Sequence, residues 1–92
     1  MDIDYNKLLS DKRVKIDEID EQMLQFFKER MALSLEIAKK KKEASLPIFD
    51  AEREKVLKEK LQGQLDDESL RPYYSEFIEK VLDISKKYQS EI

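Results

Sequence analysis

The sequence contains no cysteine and no histidine, and it has one glycine and two prolines among 92 residues. Without cysteine or histidine, disulfides, thiolate nucleophiles, imidazole acid–base catalysis and the usual zinc sites are excluded. The scarcity of glycine and proline disfavours β-sheets, because the turns between strands depend on those residues. The composition therefore predicts an all-α protein.

Charged residues make up 42% of the chain and hydrophobic residues 40%, with a formal net charge of −3. This negative balance argues against nucleic-acid binding. Residues 1–4 have neither the basic start nor the apolar core of a signal peptide, and no run of about 18 apolar residues is present for a membrane span. We expect one cytoplasmic domain over residues 1–92, without a nucleic-acid or membrane partner.

A long first helix is predicted from about Asn6 to Ala44, because no Pro or Gly interrupts residues 7–43 and Pro47 ends the run. At ~1.5 Å per residue this helix is ~57 Å long, whereas a compact domain of this size has a radius of gyration of only ~12 Å. In a monomer, much of its apolar side would remain in water. We therefore expect an intertwined homodimeric helical bundle in which the long helices pair.

Two shorter helices are predicted after the first. Asp50 is the expected N-cap of the second helix, which ends near Gly63. Asp66 and Asp67 are the expected caps of the third helix, with Pro72 in its first turn. The short acidic start and the complete third helix favour a self-sufficient unit.

Three cations interrupt the apolar seam of the first helix. That seam follows a 3–4 spacing through Ile16, Asp20, Met23, Phe27, Ser34 and Ile37 and also reaches Arg13, Arg30 and Lys41. A buried cation is costly unless an anion meets it, so the seam predicts an anion site. Arg30 and Lys41 return to nearly one face ~16 Å apart, with Ser34 and Ile37 as the expected floor. Arg13 lies ~25 Å from Arg30 and would therefore serve the pocket of a partner chain.

The other two helices place further polar residues on inward positions. Arg53 is expected to share the inward face of the second helix, with Glu54 beside it. Ser85 and Gln89 continue the apolar stripe of the third helix. Several cations, one acid and two neutral hydrogen-bonding groups match a dicarboxylate that carries a hydroxyl, because arginine pairs with carboxylates in bidentate fashion.

Most of these residues also have an ordinary structural interpretation. Lys41 belongs to the basic run of residues 39–42 at a helix end, and Ser85 and Gln89 lie at the end of a helix, where fraying is common. Arg13 is four residues from Asp17 and Glu54 is four residues from Lys58, so both have a surface ion-pair partner at helical spacing. Arg30 has a long side chain that can cover a dimer seam. Only the joint pattern favours a ligand site.

Four charged motifs and one polar pair lie along the chain: Arg13-x-x-Ile16-Asp17-x-Ile19-Asp20, Glu29-Arg30, Ile37-Ala38-x-x-Lys41, Pro47-Ile48-x-Asp50-x-x-Arg53-Glu54, and Ser85 with Gln89. Together they resemble the all-helical chorismate mutase family over roughly residues 8–89. The connection between Gln62 and Tyr73 differs from the family by one residue. The family's fold is an intertwined three-helix dimer, so the resemblance implies the same fold as the length of the first helix does.

The resemblance implies that the chain is an isomerase of phenylalanine and tyrosine biosynthesis, which rearranges chorismate to prephenate. Arg30 and the partner subunit's Arg13 would clamp the two carboxylates of chorismate. Lys41, assisted by Gln89, would face the ether oxygen of the enolpyruvyl group. The reaction is a concerted [3,3] rearrangement that needs no nucleophile, proton transfer or metal, and we expect no cofactor.

The resemblance also implies how the rest of the pocket is built. Asp50 and Glu54 would hold the ring hydroxyl, while Arg53 and Ser85 would complete the wall. The related lyase that removes pyruvate from isochorismate has the same fold and a similar cationic pocket, so it stays an alternative. A non-catalytic helical dimerisation or regulatory module is an alternative from a different class.

Overall fold

The computed structural model describes residues 2–92, which form three α-helices joined by two short links. The helices are α1 (Tyr5–Glu43), α2 (Ala51–Gln64) and α3 (Arg71–Gln89), and a 3₁₀ turn (Glu68–Leu70) precedes α3. No strand occurs within the described range, and no helix there is long and apolar enough to cross a membrane. The all-α, three-helix prediction is confirmed, and the predicted ends of α1 are each within one residue of those observed.

The chain divides into two compact units, one ending at Ala32 and one running from Leu33 to Ile92. The first unit consists mainly of the first part of α1. None of its described side chains is buried, and only Arg30 and Met31 are half-buried. Its exposed large apolar residues are Ile3, Tyr5, Leu8, Leu9, Val14, Ile16, Ile19, Met23, Leu24, Phe26 and Phe27. Within this unit, the apolar side of α1 is uncovered.

The second unit contains the end of α1 together with α2 and α3. Its buried residues are Ser34 and Ala38 on α1 and Ile78, Leu82, Ser85 and Gln89 on α3. The spacing within each set places its members on one helical face. Ile37, predicted for the pocket floor, is 50% exposed in this chain, and Ala38, one turn after Ser34, is buried.

Two ion pairs connect α2 with α3. Lys58 bonds to Glu79, and the Lys86 ammonium lies 3.1 Å from a Glu54 carboxylate oxygen. The bond to Glu79 raises the pKa of Lys58 above its usual value. These contacts set the face that α2 turns toward α3.

Arg71 fastens the link between α2 and α3. Its guanidinium donates to the main-chain oxygens of Gln62 and Leu65, at 2.7 and 3.0 Å. The same guanidinium pairs with both carboxylate oxygens of Glu68, at 2.7 and 3.0 Å, and this lowers the pKa of Glu68. The carbonyl groups at the end of α2 thus gain a charged donor.

The start of α3 differs from the sequence prediction in one respect. The Asp67 side chain accepts from the Ser69 amide at 2.9 Å and so caps the 3₁₀ turn. α3 itself begins at Arg71 without a side-chain cap, and Pro72 stands in its first turn as predicted. The 3₁₀ turn lies between Asp67 and α3, so Asp67 caps that turn and not α3.

Candidate active site

Lys41 lies in the last turn of α1, where the chain reverses toward α2. The Leu46 amide donates to the Lys41 carbonyl at 2.8 Å and the Ser45 amide donates to the Lys42 carbonyl at 3.2 Å, which is the Schellman pattern. Ser45 takes the left-handed position of this motif with a φ of 54°. Lys41 is half-buried, and its ammonium donates to the Ile48 carbonyl at 2.8 Å. The carbonyl and the ammonium of this lysine therefore both bond to the segment between α1 and α2.

The first turn of α2 places three of the predicted site residues. Asp50 is the N-cap, as predicted, and its carboxylate accepts from the Arg53 amide at 3.0 Å. Glu54 follows one turn later and is largely covered, with a side chain 15% exposed. Arg53, expected on the inward face, is exposed in this chain, because Glu54 belongs to the face of α2 that is paired with α3.

Glu54 meets a cation of α3 instead of its neighbour at i+4. The Lys86 ammonium is 3.1 Å from Oε2 and 3.5 Å from Oε1 of Glu54, and it lies 4.7 Å from the centre of the Phe49 ring. Lys58, the surface partner considered from the sequence, pairs with Glu79. The Glu54 carboxylate is therefore held by a residue distant in sequence.

Ser85 and Gln89 are buried on α3, with 6% and 8% of their surfaces exposed. The Gln89 amide nitrogen donates to the main-chain oxygen of Ser34 at 3.1 Å. A glutamine amide has a second N–H and a carbonyl besides the N–H used in this bond. The bond fixes the end of α3 to the part of α1 that lies two turns before Lys41.

Arg13 and Arg30 belong to the first unit. Arg13 is exposed, and within residues 2–92 it has no ion-pair or hydrogen-bond partner, Asp17 included. Arg30 is half-buried. One chain thus places Lys41 and the polar residues of α2 and α3 in the second unit and the two arginines of α1 in the first.

Lys86 is the site neighbour that the sequence interpretation missed. It lies four residues after Leu82 and three before Gln89, both buried, so it follows the inward stripe of α3. Arg13, Arg30 and Lys41 were selected because each is a cation on the apolar seam of the first helix. The same criterion, applied to the third helix, would have selected Lys86. No group of three or more His, Cys, Asp or Glu side chains within the described range is arranged to hold a metal ion.

Comparison with known proteins gives a family and two relatives. The sequence model of chorismate mutase type II matches residues 12–90. The chain is 36% identical over 87 residues to a bifunctional chorismate mutase/prephenate dehydratase from Aquifex aeolicus, a match that covers 86% of this chain and 24% of that protein. It is 39% identical over 54 residues to a chorismate mutase from Methanocaldococcus jannaschii, with 59% of this chain and 54% of that protein covered. The chain therefore spans only part of each relative's length, and no solved structure gives a significant match.

Proposed function

We propose that this chain, which belongs to the chorismate mutase type II family, rearranges chorismate to prephenate. The family match supports the reaction, and the contacts of the second unit supply groups that suit it. The observation that carries the proposal is the placement of Lys41 at the end of α1 and of Gln89 on the buried face of α3, where Gln89 bonds to Ser34. Residues 1–92 act in this proposal as one helical domain.

Lys41, Gln89 and Arg30 are the proposed catalytic residues, of which Lys41 and Gln89 act at the breaking ether bond. Negative charge grows on the ether oxygen as the bond to the ring breaks. The Lys41 ammonium has three N–H groups, of which Ile48 takes one. A fixed cation with a free donor stabilises that charge more in the transition state than in the bound substrate, and this difference accelerates the reaction.

The remaining groups hold the substrate in its reactive conformation. Arg30 and Arg13 of the partner subunit are the proposed clamps for the two carboxylates, because guanidinium pairs with carboxylate in bidentate fashion. Asp50 and Glu54 are proposed to accept from the ring hydroxyl, with Arg53 and Ser85 on the pocket wall. Holding the enolpyruvyl chain over the ring removes the entropy cost of reaching that geometry.

We infer that the active form is a homodimer with two shared pockets. The first unit supports this because none of its described side chains is buried and its large apolar residues are exposed. A helix without tertiary contacts is marginally stable in water, and a large exposed apolar surface marks an interaction site. Pairing with a second copy would cover that surface and bring Arg13 to the partner's pocket. The cytoplasmic location expected from the sequence stays a prediction.

The proposal is tested by incubating the purified chain with chorismate and with isochorismate separately. We expect prephenate from chorismate and no pyruvate from isochorismate. Pyruvate release from isochorismate without prephenate from chorismate would replace the proposal with the lyase. A dimer that transforms neither compound would favour the non-catalytic module.

A further inference from the structure

The ammonium group of Lys86 lies between the Glu54 carboxylate and the Phe49 ring. It is 3.1 Å and 3.5 Å from the two carboxylate oxygens and 4.7 Å from the ring centre. An aromatic face attracts a cation, so both neighbours fix the same ammonium. Asp83, one turn earlier on α3, is further away, with an oxygen at 3.8 Å.

This ion pair is more enclosed than its neighbour between the same helices. The Glu54 side chain is 15% exposed, whereas that of Glu79, the partner of Lys58, is 49% exposed. A carboxylate that water reaches poorly needs a partner of opposite charge. Lys86 supplies that partner and restricts the carboxylate to one orientation.

The charge of Glu54 is a difficulty for the proposed reaction. Chorismate carries two carboxylates, and an unpaired Glu54 would repel this dianion in a site where solvent screening is reduced. An ammonium at 3.1 Å largely cancels the field of the carboxylate at longer range. The lone pairs that Lys86 does not use can still accept a hydrogen bond.

We propose that Lys86 is a positioning residue for substrate binding, which orients Glu54 and neutralises its charge so that the carboxylate accepts the substrate hydroxyl without repelling the dianion. This inference rests on the proposed function. It concerns binding more than the chemical step, because the ring hydroxyl takes no part in the bond changes. The effect therefore belongs in KM and much less in kcat.

The test uses Lys86→Met, which removes the charge and keeps most of the side-chain length, and Lys86→Gln in parallel. We expect KM for chorismate to rise about tenfold, as for a partly buried charge pair, with kcat within about threefold of wild type. Lys86→Arg keeps the charge and should restore KM to within about threefold. Raising the ionic strength should reduce the increase for Lys86→Met, because salt screens repulsion between Glu54 and the substrate.

Two lysines provide controls for loss of charge and for loss of an ion pair. Lys87→Met removes an exposed cation one residue away on α3 and should leave KM unchanged. Lys58→Met breaks the other ion pair between α2 and α3 and reports its contribution to the melting temperature. A KM increase for Lys86→Met that exceeds both controls at a similar melting temperature would support the positioning role.

A double-mutant cycle with Glu54→Gln separates action through Glu54 from a general effect. In the Glu54→Gln background, Lys86→Met should change KM by less than about threefold, because no carboxylate charge is left to neutralise. An unchanged KM for both neutral Lys86 variants, or an equal increase in KM in both backgrounds, would overturn this inference. The proposed function would still stand if the wild-type chain formed prephenate. A wild-type chain that forms no prephenate would overturn the proposed function and this inference together.

Discussion

Replacement of Lys41 by methionine should abolish most turnover while the chain stays folded. In the structure the Lys41 ammonium makes one hydrogen bond, to the Ile48 carbonyl at 2.8 Å. Methionine keeps the length and apolar character of the side chain but has no N–H donor and no charge. The substitution therefore removes two separable effects, the bond to Ile48 and the proposed stabilisation of the ether oxygen.

The two losses differ in size. Removing a donor that faces a developing oxyanion costs about 2.7–4 kcal/mol, or about 10²–10³-fold in kcat. Losing one hydrogen bond costs about 1 kcal/mol of stability, which lowers the melting temperature of a domain of this size by about 4–8 °C. If Lys41 only supported the link after α1, activity at 25 °C would change little, because the chain would remain largely folded.

Lys42 offers a matched control. Its ammonium also donates to a main-chain oxygen, that of Ile92 at 3.2 Å, and it stands next to Lys41 in the same turn of α1. Lys42→Met should keep kcat within about twofold, whereas Lys41→Met should lose about 100-fold or more. The assay is prephenate formation at saturating chorismate, with melting curves for all chains. Near-normal turnover of Lys41→Met, or equal losses in the two variants, would refute the electrostatic role.

Two further predictions concern assembly and pH. If each pocket takes Arg13 from the partner subunit, mixing inactive Arg13→Ala and inactive Lys41→Ala chains should restore part of the activity. One pocket of the heterodimer then has both native residues. No recovery of activity after proven subunit exchange would count against the shared pocket. Arg71 holds the pKa of Glu68 below its ordinary value of 4.5, so this pair stabilises the fold above that pH and loses its effect as the pH falls through the lowered pKa. Glu68→Gln should therefore lower the melting temperature at pH 7 but match wild type in strong acid, and a constant difference at every pH would contradict this.

The helices could be predicted from the sequence because their ends are marked by local chemistry. Pro47 lacks an amide hydrogen and cannot continue a helix, so α1 has to end before it, and Asp50 provides a side-chain acceptor for the first turn of α2. Pro72 fits the first turn of α3, where its missing donor is not needed. Each signal acts within a few residues, so it does not depend on how the helices pack.

The features that could not be predicted depend on contacts distant in sequence. Lys86 and Glu54 are 32 residues apart, and nothing within either helix says that they pair. The bonds of Arg71 to the end of α2 depend on the short 3₁₀ turn. The acidic and polar residues of this turn are also typical of the start of an α-helix, so the sequence does not distinguish the two. The burial of Ala38 was not predicted, because Ile37 and Ala38 are adjacent and an apolar helical face is wide enough to include both.

The proposed substrate groups also hold the helices of the second unit together. Lys41 bonds to the link after α1, Asp50 caps α2, Glu54 pairs with α3, and Gln89 bonds to α1. Each contact restricts the side chain that makes it, and each of these side chains has more donors or acceptors than that contact uses. Substrate binding then orders few side chains, which lowers the entropy cost of forming the reactive complex. Because these side chains stabilise the fold and are also proposed to bind the substrate, truncation to alanine affects both at once. Near-isosteric neutral replacements, with melting curves measured alongside, are therefore the variants that separate catalysis from folding in this chain.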